Sequence, residues 1–192
     1  MIGDQQIIEI IQAKLSARRF QHSMNVAQTA RTLAQMHGEN PDIAYTTGLL
    51  HDYAKGISGD ELLRIAEENN LIEVDLERQL PDLLHAPVGA YLVERELKLH
   101  DVSMLEAIRV HTLGSLDMSL LDKIIFLADM IEPGRDYPGL QRLQCLTERD
   151  LDQAMLFAME STIRYCLDQG RLLHPRTIEV RNRFLEIINE TS

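Results

Sequence analysis

An all-α fold is predicted by three features: apolar residues recurring at helical spacing along almost the whole chain, no convincing alternating strand pattern, and an interior composition poor in aromatics. Of 192 residues, 45% are hydrophobic but only 5% aromatic, with no Trp. The core must therefore be built from Leu, Ile, Ala, Val and Met, which favours helices packed on helices over layered strands. The length suits one compact helical bundle over residues 1–192 with a proper core.

The helices follow in order. "DQQIIEIIQAKL" puts Ile7, Ile8, Ile11 and Leu15 on one stripe. "RFQHSMNVAQTARTLAQMHG" carries the pattern through Met24, Ala27, Ala30 and Ala34, and Gly38 is its stop signal. Pro41 opens "PDIAYTTGLLHDYAKG", where Gly48 lets a neighbouring helix approach closely. Ser58 with Glu61, and Ser103 with Glu106, have capping-box spacing. "HAPVGAYLVEREL", "SLLDKIIFLADMIE" and "DLDQAMLFAMESTIRYCLDQG" supply three more helices, and a last one begins near Pro175. "EPGRDYPGLQRL", rich in turn formers, is expected to be the one extended irregular stretch.

Charge and cysteine content exclude several classes. A formal charge of −11 argues against broad binding to nucleic acid or to an anionic membrane. Cys145 and Cys166 stand in no paired motif and read as reduced intracellular thiols. The N-terminus lacks a basic segment followed by an apolar one, and no apolar run reaches the length of a membrane span. A soluble, cytoplasmic protein is the expectation. Apolar helical faces could serve a core or a homodimer equally well.

The chemistry lies in histidines and aspartates set beside apolar helical segments: His22 in "RRFQHSMNVA", His51 and Asp52 in "LLHDYAKG", His85 in "DLLHAPVGA", His111 in "AIRVHTLGS", and Asp129 in "IIFLADMIEPG". Buried ionisable groups are costly unless something compensates them. A metal ion is an economical compensation. Imidazole and carboxylate ligands without thiolate suit Fe²⁺, Mn²⁺ or Co²⁺ better than structural zinc. His51 and Asp52 project roughly 100° apart on a helix, so an ion between them can take a ligand from each. Lys55 lies one turn beyond His51, where it can reach an anion, and Arg19 stands in similar relation to His22. Any one such histidine is more often a hydrogen-bonded core residue; the ordered set is what points to a metal-and-anion site.

Six segments, "RFQHSMNVA", "GLLHDYAKG", "LLHAPVGA", "VHTLGS", "IIFLADMIEPGRDYPG" and "HPRTIEVRN", make the chain resemble the HD superfamily of metal-dependent phosphohydrolases. Its closest likeness is to the bacterial YqeK family, the symmetrical diadenosine tetraphosphate hydrolases. The resemblance implies an HD-domain helical bundle with a motif core about 19–139 and C-terminal helices over 147–190. It implies that His22, His51, Asp52 and Asp129 bind the principal metal, iron by family expectation. His85 and His111 would hold a second metal, with Asp52 bridging, or contact phosphate, and one or two ions remain open.

The substrate implied is a dinucleoside polyphosphate, or an ADP-like nucleotide, with diadenosine tetraphosphate giving two ADP. A metal-bound water assisted by Asp52, Lys55 and His111 would carry the reaction, since phosphoryl transfer rests mainly on positioned cations. Lys55 and Arg135 are the leading polyphosphate clamps, with Arg19 and Arg109 behind them, and Thr112 could orient a phosphate oxygen. Glu132 and Asp136 are expected to orient Arg135 and its loop rather than to act as ligands. Thr177, Arg181 and Asn182 are candidate nucleotide contacts, against an ordinary solvated face. His37 and His100 read as helix-end residues. Competing readings are another nucleotide phosphohydrolase or phosphodiesterase on the same scaffold, a di-iron oxygenase, a nonenzymatic nucleotide sensor, and a helical protein with histidines as core filler.

Overall fold

Polar breaks divide the chain into ten α-helices among the described residues of the computed structural model, which are residues 2–191. Residues 1 and 192, the outer bounds of the expected domain, lie outside that range. The helices are α1 (Asp4–Lys14), α2 (Ala17–His37), α3 (Pro41–Leu50), α4 (Gly59–Glu68), α5 (His85–Leu97), α6 (Val102–Val110), α7 (Leu120–Ile131), α8 (Leu140–Arg149), α9 (Leu151–Asp168) and α10 (Pro175–Thr191). Two short 3₁₀ turns, Asp75–Arg78 and Pro81–Leu84, join α4 to α5. No strand occurs among the described residues.

Local chemistry sets the boundaries. The Ser16 side chain accepts from the Arg19 N–H at the start of α2, and Gly38 ends that helix at φ +81°, in the left-handed region that favours glycine. Asn40 caps α3 by accepting from Asp42 and Ile43, with Pro41 at the first helical position. Ser58 caps α4 as its spacing predicts. Ser103 does not cap α6. Asp101 does, accepting from the backbones of Ser103 and Met104, while Glu106 turns to Arg109. Both side chains can cap, and the aspartate stands ahead of the first helical residue. The stretch expected to be irregular through Leu143 instead starts α8 at Leu140.

α2 is the wall shared by two cores. Val26, Ala30 and Leu33 belong to one cluster with Ile124, Ile125 and Leu127 of α7, on whose far side Ala154, Met155 and Ala158 of α9 and Val180 and Phe184 of α10 complete it. Ala27 faces the other side, toward Ile7, Ile11, Leu49, Leu50, Tyr53, Val93 and Ile108. Each such Leu, Ile or Phe contributes about 1.5–3 kcal/mol on burial. A third cluster, Ala54, Leu62, Ala66, Leu84 and Val88, lies between α4 and α5.

The contact that positions the site is the crossing of α2 on α3. A Cβ at Gly48 would sit 2.7 Å from the Ala27 Cα, so only glycine allows the observed approach. Two turns of helix separate neither His22 nor His51 from that crossing. No helix among the described residues is long and apolar enough to cross a membrane.

Candidate metal centre

Helix ends supply most of the site. The last carbonyls of a helix lack an intrahelical donor. His51 follows α3 and its Nδ1 meets the Gly48 carbonyl at 2.7 Å, while His111 follows α6 and its Nδ1 meets the Ile108 carbonyl at 2.7 Å. His85 makes the same contact with the Asp82 carbonyl at the end of a 3₁₀ turn. A carbonyl accepts only from a protonated Nδ1, and in a neutral ring that leaves Nε2 with its lone pair. His22 lies inside α2, and its Nδ1 meets Glu132 Oε1 instead, at 3.1 Å.

The four Nε2 atoms face inward. His22 and His51 bring theirs to 3.3 Å, and His85 and His111 to 3.1 Å. Asp52 stands between the pairs. Its Oδ2 is 3.7 Å from the Nε2 atoms of both His22 and His51, and its Oδ1 is 3.4 Å from that of His85 and 3.8 Å from that of His111. Asp129 Oδ1 closes the first pair, 3.0 Å from His22 Nε2 and 4.0 Å from His51 Nε2. In two triads, His22–His51–Asp129 and His51–Asp52–His111, the donor atoms all lie within 4.8 Å of one another. Lone pairs this close repel unless a positive charge lies between them. The nitrogen and oxygen donor set, free of thiolate, fits a divalent metal ion.

Electrostatics agree with the geometry. Burial opposes ionisation of Asp52, but His51, His111 and His85 outweigh it and hold the carboxyl at about 2. Asp129 is held well below the usual carboxylate range by the His22 hydrogen bond, His51 and Arg135, again against its burial. Burial pushes His85 down to about 3, helped by His111 and Lys55, and pushes His111 down to about 4, helped by His51. Both rings stay neutral, the form that ligates metal. His22 goes the other way: burial disfavours its charge, but Asp129 and Glu132 raise it.

Cations ring the cluster. Arg19 Nη1 lies 3.0 Å from Asp52 Oδ2. Lys55 Nζ lies 3.1 Å from His85 Nδ1, with burial lowering its basicity and Asp52 opposing that. Thr112 Oγ1 is 3.2 Å from His85 Nε2. Arg135 donates through Nη2 to the Asp129 carboxylate and through Nε to the Asp129 carbonyl at 2.8 Å. The chain leaving α3 through Asp52 is anchored one residue later, where the Tyr53 hydroxyl donates to Glu96 at 2.6 Å and Lys14 donates to the same carboxylate.

Thus the fold brings together His22, His51, Asp52, His85, His111, Asp129, Arg19, Lys55, Thr112 and Arg135. The residues expected at the start of α10 are not drawn into the cluster. Arg181 donates to Glu160 at 2.8 Å and to Asn182 at 3.2 Å, and buried Thr177 is bonded through its N–H to the His174 carbonyl. Arg109 pairs with Glu106 and Glu73. His37 is bonded to the Thr147 carbonyl, and exposed His100 faces Glu94. A shallow open crevice runs from Thr112 past Pro87 and Val110 to His174 and Arg176.

Sequence reasoning missed the contact of Glu132 with His22, and missed Asn25, whose Nδ2 donates to Glu132 at 2.8 Å. Asn25 stands three residues after His22 on the same face of α2, a spacing that carries the signal.

The HD domain family model matches residues 19–134. A symmetrical bis(5'-nucleosyl)-tetraphosphatase of Halalkalibacterium halodurans is 36% identical over 178 residues, covering 93% of this chain and 95% of the relative. The enzyme of the same name from Bacillus subtilis is 35% identical over the same shares. A solved structure from Clostridium acetobutylicum, described as a predicted HD superfamily hydrolase involved in NAD metabolism, superposes with a TM-score of 0.93 at 35% identity, covering 97% of this chain and 98% of that one. On the match of its histidine- and aspartate-bearing helices and of nearly its whole length to these relatives, the chain belongs to the HD domain family.

Proposed function

We propose that this chain is a metal-dependent hydrolase that cleaves diadenosine tetraphosphate symmetrically into two ADP. One observation carries the reading: four imidazole Nε2 atoms and two aspartates converge, with Arg19, Lys55 and Arg135 at the rim. The two tetraphosphatase relatives, matched over more than nine-tenths of their length, support the choice of substrate.

His22, His51, Asp52 and Asp129 hold the principal ion, which we take to be Fe²⁺, with Mn²⁺ or Co²⁺ as substitutes. Asp52 presents one oxygen to each histidine pair, which supports a second ion, or a phosphate oxygen, at His85 and His111. A divalent ion at this donor set neutralises phosphoryl charge and acidifies water enough to supply a nucleophile near neutral pH. Asp52 and His111 orient the attacking water. Its oxygen bonds to a β-phosphorus as the bond to the central bridging oxygen breaks, so each half leaves as ADP. Lys55 and Arg135 clamp the charged oxygens, Arg135 through a planar fork that suits two at once. Arg19 and Arg135 are 40% and 35% exposed, so each guanidinium borders both a carboxylate and the space a polyphosphate enters. Thr112 orients a non-transferred oxygen. The setting we propose is the cytoplasm, consistent with free Cys145 and Cys166.

The test is chromatography of the products formed from diadenosine tetraphosphate. Iron-loaded protein is expected to release two ADP per substrate and chelated protein none, with activity returning on addition of Fe²⁺ or Mn²⁺. Full turnover in a thoroughly demetallated sample, or AMP with ATP as products, would overturn the reading.

A further inference from the structure

Three of the four clustered histidines are oriented by a backbone carbonyl three residues earlier, and one is not. His22 sits in the middle of α2, where the neighbouring carbonyls belong to the helix ladder. Its Nδ1 proton therefore needs an acceptor from elsewhere, and Glu132, 110 residues away, provides it. We propose that Glu132 is the positioning residue of the metal centre: by engaging Nδ1 it holds the His22 ring with Nε2 facing the other ligands, and it ties that ring to the loop carrying Arg135. The inference rests on the metal-binding reading above.

The surroundings of Glu132 are built for this. It is 3% exposed at the C-terminal end of α7, and both of its oxygens are used. Oε1 faces His22 Nδ1 at 3.1 Å, while Oε2 accepts from Asn25 Nδ2 at 2.8 Å and from the Gly134 N–H at 2.6 Å. A residue that only ended α7 would need the Gly134 contact alone; two of the three partners come from α2. A Cβ at position 134 would meet the Glu132 carboxylate at 2.9 Å, so a side chain there would push that carboxylate from its place. The next residue is Arg135, whose Nε lies 3.7 Å from Glu132 Oε1 and whose N–H donates to the Glu132 carbonyl at 2.9 Å. One carboxylate thus fixes a ligand ring on one helix and the start of a phosphate-facing loop on another. A buried acceptor left unpaired is costly, so Asn25 and Gly134 also keep Glu132 from turning away.

The test uses full-length protein stripped of metal and titrated calorimetrically with MnCl₂, alongside ¹⁵N NMR of the metal-free imidazoles, at a pH high enough for the His22 ring to be neutral, to report which of its nitrogens carries the proton. Replacement of Glu132 by Ala is expected to weaken Mn²⁺ binding by about 10–100-fold, the usual cost of losing a partner behind a ligand. It should also move the His22 proton toward Nε2. Glu132→Gln keeps an acceptor for the ring and should recover part of the affinity, and Asn25→Ala should lose less than Glu132→Ala. Wild-type protein that binds no Mn²⁺ overturns the metal reading itself. Wild-type binding with unchanged affinity and unchanged His22 protonation in the folded Glu132 variants overturns this inference alone, even if thermal stability falls. If Glu132→Ala does not fold, Glu132→Gln and Asn25→Ala decide by the same two readouts.

Discussion

The helix ends around Asp52 and the hairpin of α9 and α10 both carry charged side chains against apolar helices, yet they satisfy them in opposite ways. On the hairpin, unlike charges meet: Arg181 with Glu160 at 2.8 Å, and Arg176 with Glu73 at 2.6 Å. Each acid there has a base for its partner. Around Asp52 the two carboxylates also meet arginines, Arg19 and Arg135, but between them like faces like: four Nε2 atoms crowd together in two pairs, at 3.3 and 3.1 Å. Such an arrangement conflicts with stability unless a further charge enters it, and local conflict of this kind marks function more reliably than charge alone.

The largest test of that contrast is Asp52→Ala. It removes the group shared by both histidine pairs, and turnover should fall by more than about 10²-fold, beyond the range of a merely supporting contact. The circular-dichroism melt should still show a folded helical protein. Equal loss of structure and activity would erase the distinction between the regions.

A second test asks whether the crowding is costly in the metal-free protein. His85 and His111 are pushed from an ordinary 6.5 to about 3 and about 4, chiefly by burial. Below 6.5 the unfolded chain takes up protons that these native rings refuse. Stability should therefore be greatest above 6.5 and decline as the pH falls toward 4, with no contribution from these rings to any change at higher pH. Denaturant midpoints of metal-free protein measure the slope; a flat profile between pH 6.5 and 4 would contradict the contrast.

The smallest effect belongs to the hairpin. Arg181→Ala breaks a partly exposed pair, and such pairs are worth about 0–1 kcal/mol. The melting curve should barely move and KM for diadenosine tetraphosphate should be unchanged. A large rise in KM would return Arg181 to the nucleotide site.

The all-helical architecture was legible because apolar spacing and stop signals are local. Gly38 and Pro41 fall where their backbone chemistry requires, and Gly48 marks a close helix crossing. The His-Asp set was legible through residue type and family likeness. Pairings over long separations were not. Nothing near Glu132 in the chain announces His22, and nothing near Arg181 announces Glu160. The choice of Asp101 over Ser103 as a cap was lost for a different reason: adjacent residues can do the same job, and only the register of the helix selects one.

The crossing at Gly48 has a consequence for mutational tolerance. A single methyl there, touching no phosphate, would wedge α2 away from α3 and separate the two imidazoles those helices carry. Damage to the reaction centre can thus be inflicted through volume alone, and a survey that scored only polar substitutions would overlook one of its most sensitive positions.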